Sequence, residues 1–200
     1  MEFECKVPDK LFVLDNFFDT SIIHRMYTEI SFEENFWSQV IMRLDVTTQH
    51  KNDALFLARR FVSNDDPFIG VIKNIDERIR EIFGNQGMPL EIRGEPWMWN
   101  TGIGEYIPKH NDSELSDYAN GQKNWKAIVF FNTFEEGWGG DTVFHLTEFK
   151  KIMVKPKTGR LVLFKVDTDH SVTCITRHAL HQRIMLNYAY TSTNETTQNI

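Results

Sequence analysis

A chain of 200 residues is long enough for one well-cored domain and too short for two comfortable ones. Its 41% hydrophobic and 25% charged residues exclude a disordered or low-complexity chain. The net charge of −6 argues against a nucleic-acid partner for the surface as a whole, and 16 Phe with 5 Trp favour a sheet-rich core over a helical bundle.

The opening "MEFECKVPDK" has neither the basic start nor the apolar run of a signal peptide. No apolar run approaches the length that spans a bilayer, so a cytoplasmic protein without a membrane partner is expected. Cys5 and Cys174 make no disulfide framework and are expected to be small buried hydrophobes in a reducing compartment. Residues 11–18, "LFVLDNFF", read as a strand entering a turn. "DTSIIHRMYTEI" predicts a helix, with Asp19, Thr20 and Ser21 as N-cap candidates and Ile22, Ile23, Met26, Tyr27 and Ile30 at helical spacing. "FWSQVIMRL", within 31–63, is compatible with strand or helix. "NDDPFIGVIKNIDERIREIFG" is the clearest helix: Asp65 or Asp66 caps it and Pro67 sits in its first turn. Ile72, Ile75, Ile79, Ile82 and Phe83 form its apolar face, and Gly84 supplies the stop.

After residue 88 short apolar or alternating segments are separated by Gly, Pro and Asn. They are "LEIRGEPWMWN", "GEYIPKH", "WKAIVFFN", "DTVFHL", "KIMVKP", "GRLVLFKV", "HSVTCI" and "RIMLNYAYT". Many short strands with turn signals between them predict a sandwich or jelly roll behind N-terminal helices. The final "TSTNETTQNI" is a polar tail.

The segment "YIPKHNDSE" places His110 and Asp112 two residues apart. If 104–112 runs as a strand, both side chains point to one side and Asn111 points away. A non-haem Fe(II) centre needs two histidines and one carboxylate, with open positions left over; a zinc site can use the same ligand set. The pair alone is weak, because His-x-Asp arises easily by chance. The downstream histidines His145, His170, His178 and His181 are the candidates for the third ligand.

The order of later features is more specific. "WKAIVFFN" is followed by "EEGWGGDTVF", "VKPKTGRLVLF", "DHSV" and "RIMLNYAY". Together with His-x-Asp, this order resembles the 2-oxoglutarate- and Fe(II)-dependent oxygenases, in particular their prolyl 4-hydroxylase-like branch, over about residues 97–191. "FVLDNFF" is similar to the family's opening strand. The resemblance implies an α+β, mainly β fold: a double-stranded β-helix (jelly roll) with supporting N-terminal helices. One oxygenase domain would span 1–200, with N-terminal helices and flanking strands over 1–88, the jelly-roll core over 89–191 and the polar tail over 192–200.

On the same resemblance, His110, Asp112 and His170 are the Fe(II) ligands. Arg183, opening the last strand, is the partner of the 2-oxoglutarate C5 carboxylate, because a buried guanidinium binds a carboxylate through two parallel hydrogen bonds. Thr142 matches a threonine that shares that carboxylate. Asn100 is a candidate cosubstrate contact. Arg183 lies thirteen residues after His170, more than the family pattern leads one to expect, so "CITRHALH" predicts a bulge or longer loop, with Arg177 as the substitute if the register shifts. Trp97, Trp99, Tyr106 and Trp125 could wall the pocket, although core packing is the stronger reading for any one of them. Gly139 and Gly140 predict a turn that only glycine tolerates, and residues 111–124 a lid or a plain hairpin connection. The implied reaction uses molecular oxygen and splits 2-oxoglutarate to succinate and CO2, with ascorbate as the reductant it would call on. A prolyl residue of a protein or peptide is the first substrate expected; a free amino acid, small metabolite or nucleobase stays open. The rival class is a jelly-roll binding module without redox chemistry. Convergence of His110, Asp112, His170 and Arg183 on one pocket separates the two.

Overall fold

The computed structural model describes residues 2–32, 38–42, 54–60, 66–113 and 124–192. The order of elements is β1 (Glu2–Val7), β2 (Leu11–Asp15), α1 (Thr20–Phe32), β3 (Ser38–Met42), β4 (Ala54–Arg60) and α2 (Ile69–Asn85). Eight strands follow: β5 (Leu90–Thr101), β6 (Ile107–His110), β7 (Asn124–Phe130), β8 (Thr142–His145), β9 (Lys151–Val154), β10 (Leu161–Lys165), β11 (His170–Val172) and β12 (Arg183–Ser192). Each of the eight segments read as strands after residue 88 holds one of them. The ambiguous "FWSQVIMRL" contributes β3. β1 is an element the sequence reading lacks, although Glu2, Glu4 and Lys6 alternate with Phe3, Cys5 and Val7 in the period of a strand; the charges suit its place at the sheet edge.

The strands form two sheets, one with the order β1-β2-β10-β7-β12-β5-β4-β3 and one with β6-β11-β8-β9, and the pairings are antiparallel. Period-2 alternation splits the large sheet's side chains between two cores. Ala127, Val129, Leu161, Leu163, Ile184 and Leu186 pack on the helices, with Ile23, Met26 and Ile30 of α1 and the Ile72, Ile75, Ile79, Ile82 and Phe83 stripe of α2. Their neighbours Ile128, Phe130, Val162, Phe164 and Met185 face the small sheet, against Phe144 and Val154. The molecule is thus layered as helices, large sheet, small sheet. Each fully buried aliphatic side chain in that stripe is worth ~1.5–3 kcal/mol.

Local chemistry sets the helix ends. The Asp19 carboxylate accepts from the Ser21 N–H at 2.8 Å, capping α1. Asp66 does not cap α2: it accepts from the Phe68 N–H at 2.9 Å in the turn before the helix, whose N-cap is Phe68 without a side-chain hydrogen bond, so Pro67 also precedes the first turn; Asp65 lies outside the described residues. Gly84 does not stop α2. The helix runs through it to Asn85 and ends at Gly87, whose φ is 76°. The Met88 N–H reaches Phe83 O at 2.9 Å and the Gly87 N–H reaches Gly84 O at 3.0 Å, closing a paired C-terminal cap. Two hydroxyls bind α2 to β12: Tyr188 donates to Ile72 O at 2.7 Å and Tyr190 to Asp76 Oδ1 at 2.9 Å. Cys5 and Cys174 are both exposed free thiols, contrary to the buried role expected of them, because each sits where its chain segment faces solvent. Among the described residues no helix is long and apolar enough to cross a membrane.

Candidate metal centre

His110 is the last residue of β6 and stands opposite His170, the first residue of β11, in their antiparallel ladder. The strand expected over 104–112 ends at His110, so Asp112 is placed by a bend rather than by strand alternation. Its N–H donates to Val166 O at 2.9 Å, which turns the chain back over the pocket and buries the carboxylate to 1% exposure. Together His110, Asp112 and His170 form a cluster in which one ligand atom from each lies within 4.8 Å of the others.

Both imidazoles are set in the tautomer a metal requires. His110 Nδ1 lies 2.9 Å from Pro108 O and His170 Nδ1 lies 2.9 Å from Thr168 O. A carbonyl can only accept, so each Nδ1 carries the proton and each Nε2 keeps its lone pair for the centre. The Nε2 atoms stand 3.7 Å from Asp112 Oδ1 and Oδ2 respectively, too far for hydrogen bonds. Burial pulls His170 down to about 3 and His110 below its ordinary value, with Asp112 opposing the change in both. Burial raises the Asp112 carboxyl, but Lys126 and the two histidines outweigh it and hold the pKa at about 2. The donor set at neutral pH is therefore two neutral imidazoles and one carboxylate, which fits Fe(II) with positions to spare. His145 instead bonds Ser171 Oγ through Nε2 at 2.9 Å, and His178 and His181 are exposed on the segment before β12.

Arg183 lies in the same pocket at 0% exposure. Its Nη2 donates to Thr142 Oγ1 at 2.9 Å, its Nη1 contacts Met185 Sδ at 2.9 Å, and its Nε has no partner. Its Cζ stands 5.0 Å from the centre of the Phe130 ring. Burial depresses even this guanidinium, to about 9. Among the described residues no carboxylate forms an ion pair with it, and a buried cation without an anion is costly. The Asp141 carboxylate attracts it electrostatically without forming an ion pair. Thr142 pairs with Val172 while His170 pairs with Phe144, so two residues of the β8–β11 ladder separate the arginine end from the histidine end. That is about 7 Å, a span suited to an extended five-carbon dicarboxylate.

The remaining candidates divide. Trp99 lines the pocket, stacked on Trp97 at 5.9 Å, whereas Trp125 belongs to the helix-side core and Tyr106 is exposed. Asn100 is not brought to the pocket: Trp99 and Thr101 line it, so strand alternation turns Asn100 to the other face, where it donates to Gln182. Arg177 is exposed in the connection. The extra residues between His170 and Arg183 form an anchored loop: Gly104 N–H donates to Ile175 O at 2.8 Å, Thr176 N–H donates to Trp138 O at 2.8 Å, and Ile175 and Ala179 pack on Phe134 and Trp138. Gly139 has φ 72°, and a Cβ there would stand 1.9 Å from Cys174 O; Gly140 follows at 71°. The proposed lid falls mostly on 114–123, outside the described residues.

Two pocket residues escaped the sequence reading. Lys126 on β7 places Nζ 2.8 Å from Asp112 Oδ2. Asn187 on β12 is buried with both side-chain polar atoms unpartnered. Both carried a signal: Lys126 is the one charge in the run "WKAIVFF", and Asn187 shares the strand face of Arg183 and Met185.

Residues 96–191 match the model of the 2OG-Fe(II) oxygenase superfamily. No curated protein matches the chain by sequence. Among solved structures, a prolyl-4-hydroxylase from Pseudomonas putida is similar at TM-score 0.64 and 14% identity, over 91% of this chain and 92% of that one. A viral collagen prolyl hydroxylase from Paramecium Bursaria Chlorella virus-1, in its 2OG complex, is similar at TM-score 0.66 and 16% identity, over 92% and 97%. A prolyl hydroxylase from Trichoplax adhaerens, in complex with a hypoxia inducible factor oxygen degradation domain peptide, is similar at TM-score 0.65 and 15% identity, over 92% and 84%. The matched span contains both histidines, the carboxylate and the buried arginine, and over it the chain is similar to the 2OG-Fe(II) oxygenase superfamily.

Proposed function

We propose that this protein hydroxylates a prolyl residue of a protein or peptide, with His110, Asp112 and His170 as the Fe(II) ligands and Arg183 with Thr142 as the site of the 2-oxoglutarate C5 carboxylate. The observation that carries this reading is one pocket with two prepared ends. One end presents two lone-pair nitrogens and a carboxylate; the other presents a buried guanidinium that forms no ion pair among the described residues. A binding module without redox chemistry has no use for that pairing. The two sheets are read as the halves of a double-stranded β-helix in a single domain.

With its cosubstrate and O2, bound iron supplies the oxidation that converts 2-oxoglutarate and substrate to succinate, CO2 and hydroxylated substrate. The chain's residues prepare that reaction. Pro108 O and Thr168 O hold the imidazole tautomers. Arg183 and Thr142 fix the far end of the cosubstrate and so orient its keto-acid end toward the ligands. Ile107, Ile128 and Val172 line the wall between the ends and exclude water. The prolyl substrate is supported by the resemblance to prolyl hydroxylases, two of which are described with collagen or peptide substrates.

The test is succinate release with Fe(II), ascorbate and 2-oxoglutarate in the presence of proline-containing peptides, read with the peptide mass. Succinate coupled to a gain of one oxygen atom, lost when the proline is replaced by alanine, is the expected result. Coupled oxidation of a free amino acid, metabolite or nucleobase instead would keep the chemistry and replace the substrate.

A further inference from the structure

We propose that Lys126 is a positioning residue that restricts Asp112 to one ligating oxygen and draws charge from it, so tuning the iron site. The inference rests on His110, Asp112 and His170 being the iron ligands.

Lys126 sits inside β7, with Phe164 of β10 opposite on one side and Ala189 of β12 on the other. A residue held on both sides of a central strand has little freedom at its backbone. Its side chain crosses from the large sheet to the bend after β6 and puts Nζ 2.8 Å from Asp112 Oδ2. The lysine side chain is 20% exposed and the aspartate 1%, so solvent screens the pair weakly. A lysine at this place has no fold requirement: Ile128 and Phe130, its neighbours on the same strand face, are apolar.

The hydrogen bond is charge-assisted and occupies one oxygen of the carboxylate. Oδ1, 3.7 Å from His110 Nε2, is the oxygen left free for an ion. The count of positions makes this matter. Three protein ligands would leave an iron open positions for cosubstrate and oxygen, and a second carboxylate oxygen would take up one of them. The ammonium also competes for the carboxylate's charge, which makes the ion poorer in electrons and lowers its affinity. Outer partners of metal ligands commonly shift affinity by about 10–100-fold; those that raise ligand basicity strengthen binding, whereas an ammonium that lowers the carboxylate's basicity acts in the opposite sense.

The test compares wild type with K126M, which removes the charge and the donor, and K126Q, which keeps a donor without charge. Two quantities are read: Mn(II) affinity by calorimetry, and the energy of the Fe(II)–2-oxoglutarate charge-transfer band without oxygen. K126M should bind Mn(II) tighter, on the order of tenfold, and its band should move to lower energy while succinate yield falls. K126Q should move the band the same way by less. A residue that merely supports the fold would weaken Mn(II) binding and leave the band in place. Mn(II) binding by K126M that is unchanged or weaker, or an unmoved band in both variants, overturns the proposal. If K126M does not fold, the K126Q band decides alone. A wild-type protein that binds no Mn(II) and shows no band would instead overturn the ligand assignment beneath it.

Discussion

His110 and His170 face each other across the β6–β11 ladder, with ring centroids 4.3 Å apart and each Nδ1 tied to the carbonyl two residues before it. Backbone pairing thus presets two of the three donors before any ion arrives. His170→Ala should abolish Fe(II) binding and succinate release, while His145→Ala, one strand away, retains both. Asp112→Ala should do more than remove a ligand. It leaves Lys126 without its partner in a largely buried site, and breaking such a pair costs up to about 3–5 kcal/mol. Calorimetric metal titration beside a thermal melt separates the two effects. Metal binding by His170→Ala at wild-type affinity would remove His170 from the site.

Arg183 should govern cosubstrate affinity and leave metal affinity alone. Removing one member of a buried hydrogen-bonded charge pair costs about 2–5 kcal/mol, so Arg183→Ala should bind 2-oxoglutarate roughly 30-fold or more weakly. Arg183→Lys keeps charge without the two-pronged geometry and should fall between. Thr142→Val loses one neutral hydrogen bond, worth about 0.5–1.5 kcal/mol, and should show a smaller loss. Arg177→Ala should behave as wild type, since Arg177 is exposed. Titration of 2-oxoglutarate into the Fe(II) protein checks all four.

The sequence made these residues visible to different degrees, for physical reasons. Strand periodicity located the eight C-terminal strands, and α2's stripe was legible because 3.6-residue spacing and burial agree at every position. The stop of α2 was misplaced by three residues, because Gly84 and Gly87 are both plausible ends and only the backbone, with positive φ at Gly87, distinguishes them. His110 and Asp112 were found by a spacing argument whose geometry differs in the fold: a bend pinned by Val166, not strand alternation, aims the aspartate. Lys126 shows what one-dimensional reading misses. Its partner is fourteen residues away across a chain reversal, and nothing local announces a pairing between sheets.

Asp15 supplies a pH dependence independent of the metal site. Hydrogen bonds from Arg160, followed by Lys157, hold its carboxyl at about 2 against an ordinary 3.8, although burial opposes them. The folded state therefore prefers the ionised form. The stabilisation is complete above the ordinary value and is lost as pH falls through 3.8 toward 2. Discounted for partial exposure, it amounts to about 1–2 kcal/mol, or roughly 2–8 °C in Tm for a chain of this size. Asp15→Asn should lower Tm by that amount at pH 7, and the gap to wild type should narrow as the pH is taken from 5 to 3. A gap that stays constant over that range would show that Asp15 acts by packing rather than by charge.

Gly139 and Gly104 form a matched pair for testing the turn before β8. Both have positive φ, 72° and 86°, so alanine at either one is strained. That strain costs about 1–3 kcal/mol. They differ in what the added methyl meets. At Gly104 nothing lies within 4 Å, whereas at Gly139 the Cys174 carbonyl oxygen stands 1.9 Å away. Backbone cannot yield as a flexible side chain can, so Gly139→Ala must displace the segment that joins β11 to β12. That segment sets the start of β12 and hence the depth of Arg183. Gly104→Ala should therefore lower Tm by no more than its φ strain and leave 2-oxoglutarate affinity intact. Gly139→Ala should lower Tm further and weaken 2-oxoglutarate binding together with it. Melts and cosubstrate titrations on the two variants check this directly; equal losses in both would mean that φ strain alone fixes glycine at 139 and that the contact with Cys174 carries no weight.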